Sequence, residues 1–149
     1  MRAVVQRVSE ASVTTDGSVC AAIGDGLLVY VGIGGGDTNA DTAYLADKVC
    51  GLRIFPDEAG QMNRHVAEAG GAILVVSAFT VQADARKGRR PSFVRAAGQE
   101  TALPLYEGFC TALARNGLTV ARGRFGAMMA VRSVNAGPVC ILLDSKRSF

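Results

Sequence analysis

Two short segments of this 149-residue chain combine chemistry-bearing groups with unusual backbone. Ser77-Ala78-Phe79-Thr80 ends the most strand-like run and places two hydroxyls at a strand end. Gly137-Pro138 lies inside an apolar run that extends over 134–144. Proline cannot donate to a β-ladder and glycine tolerates backbone angles that other residues resist, so this pair can aim carbonyl groups where an ordinary strand cannot. A sharp turn between two strands is the alternative interpretation.

A cationic segment follows the two hydroxyls closely. Only Gly88 interrupts a run made of Arg86, Lys87, Arg89 and Arg90. Charge runs are usually solvated loops, but this one follows a buried strand and would meet the hydroxyls at one edge of the sheet. Such side chains bind phosphates with an affinity that does not depend on base sequence. The segment predicts either a solvated loop or a surface that faces a polyanion.

Histidine-based and metal-based catalysis are disfavoured by the residues available. His65 is the only histidine, and it lies in a polar connecting segment, so any Ser-His-Asp or Cys-His arrangement would have to use it. The four cysteines show no C-x-x-C pair and no metal-ligand spacing: Cys20, Cys50, Cys110 and Cys140. We expect no metal and no cofactor, and we expect the cysteines to be small buried residues in a reducing compartment.

Length and composition limit the architecture that must position these segments. The chain predicts one domain over 1–149, and its 49% hydrophobic residues suffice for a single core. A net charge of +3 is too small to identify a partner by itself. No apolar run approaches the roughly 20 residues that span a membrane, and the start of the chain lacks the features of a signal peptide. We therefore expect a cytoplasmic protein with no membrane partner.

The order of predicted elements favours antiparallel structure. Alternating residues predict a strand to about Val13, Asp16-Gly17 predicts a hairpin turn, and 18–23 is the returning strand. Further strands are expected at 27–33, 52–55, 72–80, 118–121 and 127–134, before the Gly-Pro segment.

Two helices complete the predicted fold. Asp37 or Thr38 caps the first, and the second carries Pro104 near its first turn and ends at Asn116-Gly117. The predicted class is α/β of the α+β type, with antiparallel-dominated sheets rolled into a barrel-like sandwich and two packed helices.

Segments from the whole chain match those of one known family in the same order. They are 1–8, 26–29, 52–55, 62–63, 83–84, 86–93, 123–127, and Asn135 with 137–139. On these residues the chain resembles the D-aminoacyl-tRNA deacylases, small dimeric proofreading enzymes that hydrolyse D-amino acids from mischarged tRNA. No single segment identifies the family, but the presence of so many of them in the same order does.

The resemblance implies a function for each segment. It implies a cis Gly137-Pro138 peptide whose carbonyls cross a homodimer interface, capture the substrate amino group in the partner's site and exclude L-amino acids, with Cys140 beside them. It implies a catalytic pocket formed by Ser77, Ala78, Phe79 and Thr80, with walls beside the terminal adenosine formed by Phe125 and Met129. It implies tRNA contacts from Arg86, Lys87, Arg89 and Arg90.

In this family the 2′-hydroxyl of the terminal adenosine, rather than a protein nucleophile, is thought to drive catalysis, and this agrees with the lack of a histidine triad here. The chain departs from the family signatures Ser-Gln-x-x-Thr and Asn-x-Gly-Pro-x-Thr. Ala78 replaces the glutamine, Cys140 replaces the second threonine, and Met128 and Ala136 each replace a common aspartate.

Loss of the glutamine amide removes up to four hydrogen-bonding sites. The backbone N–H groups of Ala78 and Phe79 would remain, and a lost oxyanion donor costs on the order of 10²–10³ in rate. The leading interpretation is hydrolysis of D-aminoacyl-tRNA, and of glycyl-tRNA, as translational proofreading. Two alternatives stay open: a paralogue that binds tRNA or nucleotide without deacylase activity, and an editing enzyme of altered specificity.

Overall fold

The computed structural model describes every residue from Met1 to Phe149. It contains eight strands and two helices. In chain order they are β1 (Arg2–Thr15), β2 (Ser18–Ile23), β3 (Gly26–Gly32), α1 (Asn39–Gly51), β4 (Phe55–Pro56), β5 (Met62–Arg64), β6 (Ala72–Ser77), α2 (Gln99–Arg115), β7 (Val120–Arg122) and β8 (Ala130–Asp144). A short 3₁₀ turn, Phe79–Gln82, follows β6 directly.

Six strands form one mixed sheet that curls nearly into a barrel. Its order is β2-β1-β3-β6-β7, and β8 pairs with β1. The long strand β1 runs antiparallel to β2, β3 and β8, whereas β3 with β6 and β6 with β7 are parallel pairs. The predicted α+β barrel-like architecture is confirmed. Parallel pairs arise where helices α1 and α2 cross over between strands.

The central strands β3 and β6 are buried on both faces, which explains their continuous apolar runs. Alternate residues, among them Val29 and Val75, join the larger core cluster beneath the two helices, where Phe109 of α2 is fully buried. The intervening residues, among them Leu28 and Leu74, belong to a smaller cluster on the other face. A strand covered on both faces loses the alternation of apolar and polar residues.

Local signals at turns and caps are confirmed. Asp16 and Gly17 have φ of 50° and 78°, and they join β1 to β2 at the predicted turn. Thr38 caps α1, and its N–H donates to the Asp41 carboxylate at 2.8 Å. Gly117, with φ 75°, follows the end of α2.

Three strand predictions are corrected. Residues 52–54 do not form a strand, because Leu52 closes α1 and β4 holds only Phe55 and Pro56. The predicted strand 72–80 ends at Ser77, where the chain turns into the 3₁₀ turn. The Gly-Pro segment is not a turn between two strands, since β8 runs through it from Ala130 to Asp144.

The prediction of four buried cysteines is also wrong in part. Cys110 is buried and Cys50 is half-buried, but Cys20 and Cys140 are exposed. Cys20 lies on β2, a strand at the edge of the sheet that has no buried residue. Cys140 lies on β8 close to the exposed Gly137-Pro138 pair. Neither helix is long and apolar enough to cross a bilayer.

Candidate active site

A mostly hydrophobic cavity of about 500 Å³ opens beside the end of β6. The segment Ser77–Thr80 lines one side of it, and Phe125 and Met129 line another. The sequence placed these residues in one site through resemblance alone, and the structure brings them together. Because β6 and β7 are parallel neighbours, the segments that follow them leave the sheet at the same edge.

The backbone of the Ser77–Thr80 segment differs from what the sequence led us to expect. The Ala78 N–H donates to the Val31 carbonyl at 2.9 Å, so it continues the pairing between β3 and β6 and is not available to a substrate. Phe79 and Thr80 begin the 3₁₀ turn, and the first N–H groups of such a turn have no partner inside it. The donors left for an ester carbonyl are therefore the N–H groups of Phe79 and Thr80.

The lining residues that sequence reasoning did not assign to the site include Tyr30, Gln99 and Met128. A tyrosine phenol is protonated at neutral pH and can donate a hydrogen bond, and burial raises the pKa of Tyr30 further. A tyrosine inside the otherwise aliphatic run of β3 was the available signal. Gln99 had none, because only the tertiary fold brings the start of α2 to this edge. Met128 stood out in sequence only as the replacement of a common aspartate.

Tyr106 of α2 lies behind the cavity and joins its two sides. Its hydroxyl donates to the carbonyl of Val75 at 3.2 Å and lies 3.5 Å from that of Gly123. Its ring centroid is 5.4 Å from that of Phe125. Burial raises the pKa of Tyr106 well above its usual range, so the hydroxyl keeps its proton. Tyr106 thus fixes β6 relative to the segment that carries Phe125.

The Gly137-Pro138 peptide is cis and lies in an irregularity of β8. Between the pairs Gln6↔Cys140 and Val8↔Asn135, β1 advances by two residues while β8 advances by five. The extra residues project from the ladder as a β-bulge. Within it, the Val139 N–H donates to the Asn135 side chain at 3.0 Å.

Arg7 supports this irregularity from β1. Its Nε donates to the carbonyl of Ala136 at 3.0 Å, and its Nη1 donates to the carbonyl of Ile54 at 2.6 Å. Gly137 has φ 130°, and a Cβ there would lie 2.8 Å from the Arg7 guanidinium. Only glycine fits this position without displacing the arginine.

The predicted gate residues do not meet the predicted pocket within one chain. Gly137, Pro138 and Cys140 are exposed, and none of them lines the cavity. The site that the sequence suggested is therefore divided between two separate surfaces of the molecule.

The cationic segment forms a hairpin between Asp84 and Ser92, which exchange two backbone hydrogen bonds of 2.8 and 2.9 Å. Arg86 turns back onto Asp84, with Nε 2.9 Å from Oδ1 and Nη2 2.5 Å from Oδ2. These hydrogen bonds hold the pKa of Asp84 well below its usual range. Arg86 is thus paired with Asp84. The other three residues predicted to contact tRNA, Lys87, Arg89 and Arg90, take part in no ion pair.

His65 lies away from this site, with Nε2 3.5 Å from the exposed carboxylate of Glu68. It does not line the cavity. No group of three or more histidine, cysteine or acidic side chains is arranged to hold a metal ion.

Comparison with known proteins places this geometry in a family. The family model described as D-Tyr-tRNA(Tyr) deacylase matches residues 4–144. The chain is 59% identical over 145 residues to the D-aminoacyl-tRNA deacylase of Roseiflexus castenholzii, covering 97% of this chain and 92% of that one. It is 57% identical over 149 residues to the D-aminoacyl-tRNA deacylase of Anaeromyxobacter dehalogenans, covering all of both chains.

Two solved structures share the architecture. A c-Myc DNA unwinding element binding protein superposes with a TM-score of 0.91 at 40% identity, covering 97% of this chain and 98% of that one. A probable eukaryotic D-amino acid tRNA deacylase superposes with a TM-score of 0.83 at 16% identity, covering 95% and 97%. The match to the family model over nearly the whole chain, together with these relatives, shows that the chain belongs to the D-Tyr-tRNA(Tyr) deacylase family.

Proposed function

We propose that this chain is a hydrolase that cleaves the ester bond of D-aminoacyl-tRNA, releasing free D-amino acid and tRNA. The observation that carries the proposal is the cavity lined by Ser77–Thr80, in a chain nearly 60% identical to a D-aminoacyl-tRNA deacylase. The cavity volume of about 500 Å³ suits a small ligand such as an aminoacylated adenosine.

In this proposal the chain's own groups orient the ester and stabilise developing charge. The N–H groups of Phe79 and Thr80 donate to the ester carbonyl as water attacks its carbon. The C–O bond to the ribose then breaks, and the ribose oxygen takes up a proton as it leaves. Phe125 and Met129 hold the terminal adenosine. The 2′-hydroxyl of that adenosine assists proton transfer, since no protein base lines the cavity.

We further propose that the functional unit is a homodimer in which Gly137 and Pro138 of one copy act as chiral gate for the cavity of the other. The support is that gate and cavity lie apart within one chain. The outward side of β8 also carries exposed apolar side chains, with Val134 at 48% and Leu142 at 60% exposure. Exposed apolar groups on one strand face favour burial against a second copy.

Cytoplasmic translation is where such a substrate arises, and we place the protein there, acting as one domain. Backbone carbonyls of the gate would reject L-amino acids sterically and would accept glycine, which has no side chain to exclude. Replacement of the signature glutamine by Ala78 removes side-chain amide groups but no backbone donor of the 3₁₀ turn. The proposal therefore predicts activity in spite of this departure.

The test is to incubate the protein with D-tyrosyl-, glycyl- and L-tyrosyl-tRNA and to measure released amino acid. We expect release from the first two and none from the third. No release from any substrate at high enzyme concentration would favour a binding protein without deacylase activity. Release from L-tyrosyl-tRNA would favour an editing enzyme of altered specificity.

A further inference from the structure

The hairpin of residues 84–92, called here the basic hairpin, has a fixed base and a cationic tip. The backbone of Asp84 and Ser92 closes its base through two hydrogen bonds. Gly88 at the tip has φ 71°, a conformation that reverses the chain and that glycine adopts readily. Lys87, Arg89 and Arg90 therefore leave the hairpin near its turn, where their side chains are exposed.

The four cations of the basic hairpin are not equivalent. Arg86 forms a two-point contact with the carboxylate of Asp84, at 2.9 and 2.5 Å. Asp84 also lies 3.9 Å from the guanidinium of Arg95, so one carboxylate serves two arginines at the base. No acidic partner lies within ion-pair distance of the other three cations. Their charges remain available to a ligand.

The basic hairpin is connected to the cavity through a pair of aromatic rings. Phe93 follows it immediately and packs edge-on against Phe79, with ring centroids 5.2 Å apart. Phe79 itself lines the cavity. Both rings remain accessible, with 59% of Phe79 and 38% of Phe93 exposed. The unpaired cations thus lie on a hairpin that leads directly into two accessible aromatic rings. Cations combined with accessible rings bind single-stranded nucleic acid, through phosphates and stacked bases.

We propose that the basic hairpin binds the phosphates of the single-stranded 3′ end of the RNA substrate through Lys87, Arg89 and Arg90, while Arg86 braces the hairpin against Asp84 and contacts no phosphate. The inference rests on the proposed function for the nature of the RNA. The phosphates next to the terminal nucleotide must lie outside the cavity mouth when that nucleotide is inside it. The free positive charge of the hairpin, which contacts Phe79 through Phe93, is complementary to them.

The salt dependence of tRNA binding distinguishes cations that contact phosphates from a cation that only holds the hairpin in place. Affinity of the full chain for deacylated tRNA would be measured by fluorescence anisotropy at several salt concentrations. Each phosphate contact to a single strand contributes about 0.7 to the slope of log affinity against log salt concentration. Arg89→Ala should therefore reduce the slope by about 0.7, and simultaneous replacement of Lys87, Arg89 and Arg90 by alanine by about 2. Arg86→Ala should leave the slope unchanged.

A matched control is Arg115→Ala, which removes one exposed cation at the end of α2 and should keep the wild-type slope. Thermal unfolding would establish that each variant is folded. An equal reduction in slope for Arg86→Ala and Arg89→Ala would overturn the division of roles. An equal reduction for Arg115→Ala would show that only net charge matters. Equal affinity for duplex DNA would overturn the assignment to single-stranded RNA.

A kinetic measurement provides an independent readout. D-Tyrosyl-adenosine has the reacting ester but none of the tRNA phosphates. The triple variant should lose at least about tenfold more in kcat/KM on D-tyrosyl-tRNA than on D-tyrosyl-adenosine, equivalent to about 1.4 kcal/mol of transition-state binding. Equal losses on both substrates would overturn the inference. The binding measurement requires no hydrolysis, so an inactive wild-type protein would refute the proposed function while the slopes still decide the role of the hairpin.

Discussion

The guanidinium of Arg7 and the carbonyl of Ala136 are joined by a 3.0 Å hydrogen bond across 129 residues of sequence. The same side chain donates to the carbonyl of Ile54 at 2.6 Å. Arg7 lies where β1 passes the irregularity in β8, between the paired residues Gln6 and Val8. One arginine therefore sets the position of the segment that carries Gly137 and Pro138.

Arg7→Lys should lower stability and weaken discrimination between D- and L-substrates. Lysine keeps the charge but not the forked geometry that reaches two carbonyls. A hydrogen bond from a charged group contributes about 1.5–3 kcal/mol to stability. Urea unfolding should therefore show a free energy of unfolding lower by about 1.5 kcal/mol. Selectivity is the ratio of kcat/KM for D- and L-tyrosyl-tRNA. Arg2→Lys, on the same strand and paired with Asp144, should leave that ratio intact. An unchanged ratio in Arg7→Lys would contradict this role.

Gly137→Ala should reduce activity while the protein stays folded. The added Cβ would lie 2.8 Å from both the Arg7 guanidinium and a methyl group of Val139, at a φ of 130° that L-residues rarely adopt. Gly117→Ala is the matched control, because its φ is 75° but open space surrounds it. That control should cost roughly 1–2 kcal/mol in stability and nothing in turnover.

Mixed dimers test whether the gate serves the partner's cavity. Thr80→Glu places a carboxylate at an exposed position that lines the cavity, and Gly137→Ala displaces the gate. Each variant alone should have strongly reduced turnover. Random coassembly makes half of the dimers mixed, each with one intact composite site, so about a quarter of wild-type turnover should return. Recovery in the coexpressed sample supports a shared site, whereas inactivity of that sample, with mixed dimers demonstrated by mass, would refute it.

Tyr106→Phe should disturb the cavity modestly without exposing the core. The hydroxyl that bridges β6 and the Gly123 segment disappears, at a cost of about 1 kcal/mol in unfolding free energy. Since Phe125 packs against the same ring, we expect KM to rise more than kcat falls. Tyr44→Phe removes a hydroxyl from the surface of α1 and should change neither quantity. A fall in kcat alone would argue against a positioning role.

Acid should destabilise the protein through Asp41. Burial by itself would raise the pKa of this carboxyl, but hydrogen bonds from Lys146, Ser145 and Thr38 outweigh it and hold the pKa below the usual value of 3.8. A group with a lowered folded pKa stabilises fully above its unfolded pKa, and that stabilisation is lost as the pH falls from about 5 through the folded value. Asp41→Asn should lower stability at pH 7 and flatten its decline in acid. Urea titrations at several pH values measure the free energy of unfolding. Asp47→Asn, on the exposed side of α1, is the control and should leave its pH dependence unchanged.

Local chemistry made much of the fold predictable. Asp16-Gly17 fixed the first hairpin, because the turn needs positive φ at both positions, and Thr38 identified the start of α1 through its partner Asp41. The continuous apolar runs identified β3 and β6. The same runs do not indicate the relative direction of these strands, because hydrophobic periodicity does not distinguish parallel from antiparallel pairing.

The candidate site was predictable as a set of segments but not as an arrangement. The hydroxyls of Ser77 and Thr80 at a strand end were visible in sequence. The pairing of Arg86 with Asp84 has a local signal in the sequence, an acid two residues earlier. The engagement of the Ala78 N–H by Val31 had no such signal, because it depends on the register between two strands.

By itself the sequence determined which groups this protein has for chemistry: hydroxyls and backbone amides after β6, a cationic segment, a glycine-proline pair, and a single histidine away from them. Tertiary structure decided which of these groups are free and which meet. It brings Ser77–Thr80 together with Phe125 and Met129 in one cavity and pairs Arg86 with Asp84. It also keeps Gly137 out of the cavity lining. The reason is that residue type is local, whereas strand register and direction place groups far apart in sequence against one another or on different faces.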